Sequence, residues 1–217
     1  MCDKNESINT GENVPADDAK QKAPTNKPVN KTHKYYVALG KDVSYALRHA
    51  PQECGIVLDA QGYTSIQELL NYLNSSGIHG TVELSDLFKM MEESDKKRHE
   101  INGDKIRAYY GHSTSEKIQK TESKPPAVLY HGTSHEAAEK IMQEGLIPNG
   151  RQYVHLSCDV KTAQNVGIRK DKRPVILKIN AQQANADGFK FYIGNEDIWL
   201  ADAIPPKYIE IFIDPEK

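Results

Sequence analysis

Residues 128–157 read VLYHGTSHEAAEKIMQEGLIPNGRQYVHLS, and this stretch organises the rest of the chain. Its apolar start, VLY, predicts a β-strand. Thr133 and Glu136 have the spacing of a capping box, which predicts that a helix begins directly after His131. Apolar side chains at helical spacing continue towards Gly145, a residue type that commonly ends helices. The stretch then closes on a second predicted strand.

Each of the two predicted strands carries a histidine near its end, His131 in the first and His155 in the second, and Gly132 follows His131 directly. Glycine allows the backbone to approach a ligand closely, and the free N–H groups at a helix start favour an anion. The pattern therefore indicates a site for a polar, anionic ligand. A His-Gly-Thr tripeptide is equally compatible with a structural histidine, and at this level both interpretations stay open.

Composition describes a globular protein without a bulk positive charge. The chain has 217 residues, of which 38% are hydrophobic and 27% charged, with a formal net charge of −2. Any anion-binding surface must therefore come from local clustering of cations. Cys2, Cys54 and Cys158 lack zinc or disulfide spacing, which favours a reducing compartment. No apolar run approaches the length of a membrane span, so we expect a cytoplasmic protein, or a nuclear one in a eukaryote.

Changes in composition along the chain divide it into four parts. These are a disordered polar tail (1–33), a winged-helix lobe (34–112), a polar linker (113–126) and a second domain (127–217). The winged-helix lobe is predicted from three helices, the second opened by Ser65 and Glu68 as a capping box, and from a hairpin around Asn102-Gly103. A short strand is also predicted at residues 55–59.

The second domain alternates strands with few helices. Asp159 is predicted to cap a helix, and a basic loop follows it at residues 167–173. Further strands are expected at 175–179, 189–192, 198–201 and 208–213. This order favours a mixed α+β domain built around a split sheet.

Three arginines and a histidine are the first candidates for chemistry: Arg48, His49, Arg107 and Arg169. Each one alone is more commonly a solvated side chain than a ligand. Together, three guanidiniums can hold a phosphate through bidentate, charge-assisted hydrogen bonds. The set therefore suggests binding of a phosphorylated ligand.

Seven segments in order resemble the KptA-type tRNA 2′-phosphotransferase family. They are LRH (47–49), GIVLD with QGY (55–63), KKRHEI (96–101), IRA with GHS (106–113), LYHGT (129–133), VHLS (154–157) and WL with PP (199–206). The resemblance implies an N-terminal winged helix packed on a C-terminal NAD-binding domain like that of ADP-ribosyltransferases. It also implies removal of an internal 2′-phosphate from RNA, such as a tRNA splice junction, with NAD consumed as cosubstrate.

The resemblance further assigns roles to residues, with no metal and with a monomer expected. The catalytic tetrad falls on Arg48, His49, Arg107 and Arg169. The residues implied for NAD are His131, Gly132, Thr133, Arg151, His155, Leu156 and Ser157. Those implied for RNA are Lys96, Arg98 and Lys105. An aliphatic residue, Ile198, is implied where related transferases carry a catalytic glutamate, although Glu196 lies close by in sequence.

The chain departs from the family pattern at three places. Tyr63 stands where the family usually has tryptophan, and Tyr109-Tyr110 stand in place of Asn-Gln. The loop after Arg169 is longer and more basic than usual, which leaves Arg173 as a competitor for the role of Arg169. Two other functions also remain open: ADP-ribosylation of nucleic-acid phosphate ends, in which the same site stops after the first step, and a non-catalytic RNA-binding module.

Overall fold

The computed structural model describes residues 30–213. Most of the predicted tail, 1–33, lies outside the described residues, and the first helix already begins at His33. Helices and strands are mixed throughout the described part. The strands build two separate sheets, one of three strands and one of six. The predicted α+β class is therefore confirmed.

The N-terminal part consists of three helices around a three-stranded antiparallel sheet. Its elements are α1 (His33–Arg48), β1 (Tyr63–Ser65), α2 (Ile66–Ser76), α3 (Leu84–Glu92), β2 (His99–Asn102) and β3 (Lys105–Ala108). Leu39, Val43 and Leu47, at helical spacing on α1, are completely buried against the other elements. Burial of this apolar face is what holds α1 in place, because each such side chain contributes on the order of 2 kcal/mol.

The predicted hairpin is confirmed and the predicted strand at 55–59 is wrong. Strands β2 and β3 pair with Asn102 opposite Lys105, and Gly103 takes the positive φ of 61° that the turn requires. Residues 55–59 form no strand, because the Asp59 carboxylate accepts the N–H groups of Gln61 and Tyr63 and folds the chain into a turn.

The C-terminal part is a six-stranded sheet with helices packed on it. Its elements are β4 (Val128–Thr133), α4 (His135–Glu144), β5 (Val154–Ser157), α5 (Val160–Gly167), β6 (Val175–Asn180), α6 (Ala181–Ala186), β7 (Phe191–Ile193), β8 (Ile198–Ala201), a 3-10 turn (Pro206–Tyr208) and β9 (Ile209–Ile211). The strand order is β7-β8-β5-β4-β6-β9, and all pairs are antiparallel. Strands β4 and β5, which carry His131 and His155, therefore lie side by side at its centre.

The start of α4 differs from the prediction. Strand β4 pairs with β6 as far as Thr133, opposite Val175, so Thr133 belongs to the strand. The helix cap is Ser134, whose side chain accepts the N–H of Ala137 at 3.3 Å. The strand extends further than its apolar start indicates because the sheet continues to offer β4 hydrogen bonds on the β6 side.

Gly132 is explained by packing between elements. A Cβ atom at this position would lie 1.8 Å from the Ala163 carbonyl oxygen, so only glycine lets α5 pack so closely on β4. The sequence predicted that a ligand would closely approach the backbone at Gly132. In the structure α5 makes this close approach. Asp159 caps this helix as predicted, accepting the Thr162 N–H at 2.8 Å.

Residues 113–126 connect the two parts and pack against the six-stranded sheet. Ile118 is buried, its carbonyl accepts the Tyr153 hydroxyl at 2.8 Å, and Gln152 bonds both Thr114 and Glu116. Asn195 also donates to the Lys97 carbonyl across the two parts. These contacts fix one sheet relative to the other. Within residues 30–213, no helix combines the length and the apolar character that crossing a membrane requires.

Candidate active site

A cavity of about 1040 Å³ lies between the two parts of the protein. The N-terminal part lines it with Arg48, Lys96 and Arg98, and the C-terminal part with strand and helix residues that include His131 and His155. This volume is at the upper end for small-molecule sites and is enough for a dinucleotide. The two halves of the chain therefore share one site.

Several of the cations that line this cavity are close neighbours, since Arg98 acts on both Arg48 and Lys96. Arg48, Lys96, Arg98, Arg169 and Lys170 all line it, and in the described part of the chain none of them has a carboxylate within salt-bridge distance. Burial lowers the pKa of Arg48 to about 10, and burial together with Arg169 lowers the pKa of Lys96. Asp95, Glu144 and Asp197 also line the cavity, but its cations outnumber these carboxylates, which favours binding of an anion.

Backbone and side-chain contacts anchor two of the guanidiniums. Arg48, the last residue of α1, donates from Nη2 to the Arg98 carbonyl at 3.2 Å, while its buried Nε has no partner in the described structure. Arg98 donates from Nη1 to the Ser94 hydroxyl at 2.8 Å. Each side chain is thereby held in position and keeps further N–H groups for a ligand.

Arg107, which the resemblance places in the catalytic tetrad, does not line the cavity. Its Nε is paired with Glu100 at 2.6 Å, and its guanidinium stacks 4.4 Å from the centre of the Tyr63 ring, outside the cavity. The register of the three-stranded sheet explains this, because Arg107 lies between Tyr63 on β1 and Glu100 on β2. Arg98, predicted only as an RNA contact, occupies the cavity instead.

The remaining basic candidates are also separated by the structure. Lys105, a predicted RNA contact, is paired with Asp59 at 3.3 Å on the far side of the hairpin and does not line the cavity. Lys96 does line it. Arg169 lines the cavity and Arg173 does not.

The two histidines face the cavity as neutral rings. His131 Nδ1 lies 2.9 Å from the His155 carbonyl oxygen, so Nδ1 carries the proton and Nε2 is left as an acceptor. Burial lowers the pKa of His131, and burial together with Arg151 lowers the pKa of His155 to about 4. Uncharged imidazoles of this kind can bond the hydroxyls of a sugar.

The other residues expected to hold NAD divide into two groups. Thr133 lines the cavity, and its buried Oγ1 has no partner in the described structure, as expected for a hydroxyl that awaits a ligand. Gly132, Leu156 and Ser157 are buried in the sheet and do not line the cavity. The side chains of Leu156 and Ser157 pack inside the C-terminal part.

His49 lies just behind the cavity wall. Its Nδ1 is 2.8 Å from the Ser113 hydroxyl, and its Nε2 is 3.3 Å from Nη1 of Arg151, which itself lines the cavity. Ile198 also lines the cavity, whereas Glu196 is paired with Lys97 at 2.6 Å on the surface. The aliphatic side chain of Ile198 is therefore part of the cavity wall. The carboxylate nearest to it in sequence that also lines the cavity is that of Asp197.

The comparisons with known proteins agree with the sequence motifs. Residues 34–203 match the family described as "RNA 2'-phosphotransferase, Tpt1 / KptA family". A relative from Acetivibrio thermocellus, named "Probable RNA 2'-phosphotransferase", is 53% identical over 174 residues, which cover 80% of this chain and 96% of the relative. Relatives of the same name from Bacillus thuringiensis and Agrobacterium fabrum are 51% and 42% identical, each over 82% of this chain and over 96% and 95% of their own. The chain belongs to the RNA 2′-phosphotransferase family.

For this member of the RNA 2′-phosphotransferase family, an apolar part of the cavity lining was not predicted from the sequence. It is formed by Ala137, Ile141, Leu146, Ile147, Pro148 and Val154. The helical spacing of Ile141 marks only a buried face of α4, and nothing in the loop after Gly145 identifies it as a cavity wall. Only the fold, which brings this loop over β5, reveals this apolar part of the lining.

Proposed function

We propose that this protein is an NAD-dependent RNA 2′-phosphotransferase that removes an internal 2′-phosphate from RNA. The observation that carries the proposal is that Arg48, Arg98 and Arg169 line the same cavity as His131 and His155. The guanidiniums suit a phosphate, and the neutral imidazoles suit the sugars of a dinucleotide. The fold supports the finer assignment of a winged-helix lobe, a linker and an ADP-ribosyltransferase-like lobe, with boundaries at 34–112, 113–126 and 127–217.

The chemistry that follows from this proposal has two steps. The RNA 2′-phosphate attacks the anomeric carbon of the nicotinamide ribose, and nicotinamide leaves with the bonding electrons. The ribose 2″-hydroxyl then attacks the phosphorus and displaces the RNA 2′-oxygen. The products are 2′-hydroxyl RNA and ADP-ribose 1″,2″-cyclic phosphate, so NAD is consumed and no metal is needed.

The cationic groups that line the cavity suit both steps. The attacking phosphate is already an anion, so the first step needs it held in position and requires no strong base. The second step builds negative charge on the phosphoryl oxygens, where the guanidiniums of Arg48, Arg98 and Arg169 would stabilise the transition state. One such contact is worth on the order of 3 kcal/mol. His49 would accept the proton of the 2″-hydroxyl.

The apolar and uncharged groups that line the cavity suit the remainder of NAD. Ile141, Leu146 and Val154 offer the apolar surface that an adenine ring requires. The Nε2 of His131 and the unpartnered Thr133 hydroxyl would bond ribose or nicotinamide groups. We propose an RNA carrying a tRNA splice junction as the substrate and a monomer as the working form.

The direct test is incubation of the protein with NAD and an oligoribonucleotide that carries one internal 2′-phosphate. We expect release of nicotinamide in equal amount to the 2′-hydroxyl RNA. An exposed arginine outside the cavity, Arg173, provides the control variant Arg173→Ala, which should keep full turnover. No turnover at saturating NAD would overturn the proposal. A stable ADP-ribosyl group on a terminally phosphorylated strand, without loss of the 2′-phosphate, would favour ADP-ribosylation of phosphate ends.

A further inference from the structure

Arg151 joins the two parts of the protein through a single nitrogen atom. Its Nη1 donates to the Gly111 carbonyl oxygen and lies 3.3 Å from His49 Nε2. His49 belongs to the N-terminal part, where it is the C-cap of α1. Arg151 belongs to the C-terminal part and lies in the loop before β5. The second ring nitrogen of His49, Nδ1, contacts the Ser113 hydroxyl at 2.8 Å. Both ring nitrogens are therefore engaged.

These contacts decide the protonation of His49. A guanidinium has donors and no acceptor, so Nε2 must offer its lone pair to Arg151. The single proton of the neutral ring then lies on Nδ1 and is donated to Ser113, whose own N–H is fixed on the Arg48 carbonyl at 2.9 Å. The geometry thus selects a neutral ring of one tautomer, with the lone pair directed towards the cavity wall.

Every charged group near His49 disfavours a second proton. Arg48 precedes it, Arg151 covers it, and the ring of His112 lies close by, while the Tyr45 ring is 6.2 Å away. No carboxylate within residues 30–213 lies at ion-pair distance from His49. Burial, Arg151 and Arg48, in that order, lower the pKa of His49.

In this arrangement Arg151 links His49, which is itself exposed, to the lining of the cavity. Arg151 lines the cavity and His49 does not, and Arg151 has no carboxylate partner in the described part of the chain. A phosphoryl oxygen in the cavity would bind a guanidinium through charge-assisted bonds, which are shorter and stronger than a 3.3 Å contact to a neutral imidazole. An anion therefore competes directly with His49 for Arg151.

We infer that Arg151 is a positioning residue that couples anion binding in the cavity to the availability of His49. Arg151 covers the lone pair of His49 Nε2 until a phosphoryl group draws the guanidinium away, and Nε2 then becomes a proton acceptor that faces the bound substrates. This inference rests on the proposed function for the identity of the reacting groups. The coupling itself concerns only a cation, an anion and a ring nitrogen, and it can be measured without turnover.

The experiment is NMR of 15N-labelled histidines, with the His49 signals assigned from a His49→Asn variant. Sodium sulfate serves as the probe, because it is a dianion across the whole titration, and sodium chloride at equal ionic strength is the reference. In chloride we expect a neutral His49 with its proton on Nδ1. Addition of sulfate should raise the pKa of His49 by roughly one unit, since Arg151 moves to the anion.

The Arg151→Met variant removes the cation and keeps the stem of the side chain. In this variant we expect the pKa of His49 to be raised in chloride already, and to respond to sulfate by less than half of the wild-type change. Arg151→Gln, which keeps an uncharged N–H donor, should show the same weak response and serves if the first variant does not fold. The matched control, Arg173→Met, removes an exposed arginine outside the cavity and should behave as wild type.

Two outcomes would overturn the inference. One is a wild-type His49 that carries its proton on Nε2 in chloride. The other is an equal sulfate response in wild type and in both Arg151 variants, which would mean that the anion acts on His49 without Arg151. Neither outcome depends on NAD or RNA, so the proposed function is tested separately.

The transfer assay supplies a second readout that a purely structural role would not change. The pH dependence of kcat/KM reports groups of the free enzyme, and an acceptor must be unprotonated. Activity should therefore fall at low pH through the pKa of His49. In Arg151→Met, where this pKa is raised, the acidic limb should move to higher pH by the shift that NMR gives. A lower plateau with an unchanged limb would contradict the inference.

Discussion

The guanidinium carbon of Arg48 lies 5.7 Å from the centre of the Tyr110 ring. The same ring meets His155 edge to face, with 5.6 Å between ring centres. Tyr110 thus connects Arg48 with one of the two histidines that line the cavity.

Replacement of Tyr110 should weaken the placement of Arg48. Tyr110→Ala removes the ring over the guanidinium, and a partly buried cation–π contact is worth about 0.5–2 kcal/mol. We expect kcat/KM for 2′-phosphate removal to fall by about 2- to 30-fold, since each 1.36 kcal/mol corresponds to about tenfold. Tyr110→Phe keeps the ring and should stay near wild type. Equal losses in both variants would assign the effect to the phenol hydroxyl.

Substitutions of Arg98 and Arg107 should have different effects, the first on turnover and the second on stability. Arg98 lines the cavity, so Arg98→Ala removes one guanidinium from the developing phosphoryl charge and should lower kcat by about 100-fold or more. Arg107 pairs with Glu100 and stacks on Tyr63, so Arg107→Ala should lower the free energy of unfolding by about 1 kcal/mol while kcat stays near wild type.

Steady-state kinetics and urea denaturation of both variants check this pair of expectations. The denaturation midpoint of Arg98→Ala should show a smaller change than its kcat. A large loss of kcat in Arg107→Ala with unchanged stability would return Arg107 to the catalytic group and contradict the arrangement of the cavity.

The sequence predicted elements well where the determining interactions are local. The hairpin at Asn102-Gly103 and the caps at Ser65 and Asp159 depend on residues a few positions apart, and all three form as expected. The end of β4 was placed wrongly because it depends on Val175, far along the chain. Local patterns could not reveal that partner.

The site residues also divide into those that local motifs reveal and those that depend on the fold. The motifs name Arg48, Arg169, His131 and His155, and all four line one cavity in the structure. Arg107 lies outside this cavity, because the direction of a side chain on a strand depends on sheet register, and its pairing with Glu100 cannot be read from the motif. The apolar part of the lining was missed since its members become neighbours only through the fold.

Gly132 provides a test of the packing explanation. Gly132→Ala would place Cβ 1.8 Å from the Ala163 carbonyl oxygen, and backbone atoms cannot move aside cheaply. We expect a loss of several kcal/mol in the free energy of unfolding, measured by urea denaturation. Gly40→Ala is the control, because its Cβ would meet Met90 at an ordinary 3.4 Å within α1, and it should stabilise the protein by about 0.5–1 kcal/mol. Similar destabilisation in both variants would contradict the steric explanation.

His99 should make stability depend on pH. Its ring is buried beside Ser44, and burial, reinforced by Arg48 and Arg98, lowers its pKa to about 3, against about 6.5 in an unfolded chain. Between these values the unfolded state binds the extra proton, so stability is full above pH 6.5 and falls as the pH drops towards 3, by about 1.4 kcal/mol per unit. Urea denaturation of His99→Gln from pH 6 to pH 4 should show a slope shallower by nearly this amount, since the full slope applies only well below pH 6.5. Ser44→Ala, which removes only the partner, should be less stable at every pH with the wild-type slope, and an unchanged slope in His99→Gln would show that other groups carry the dependence.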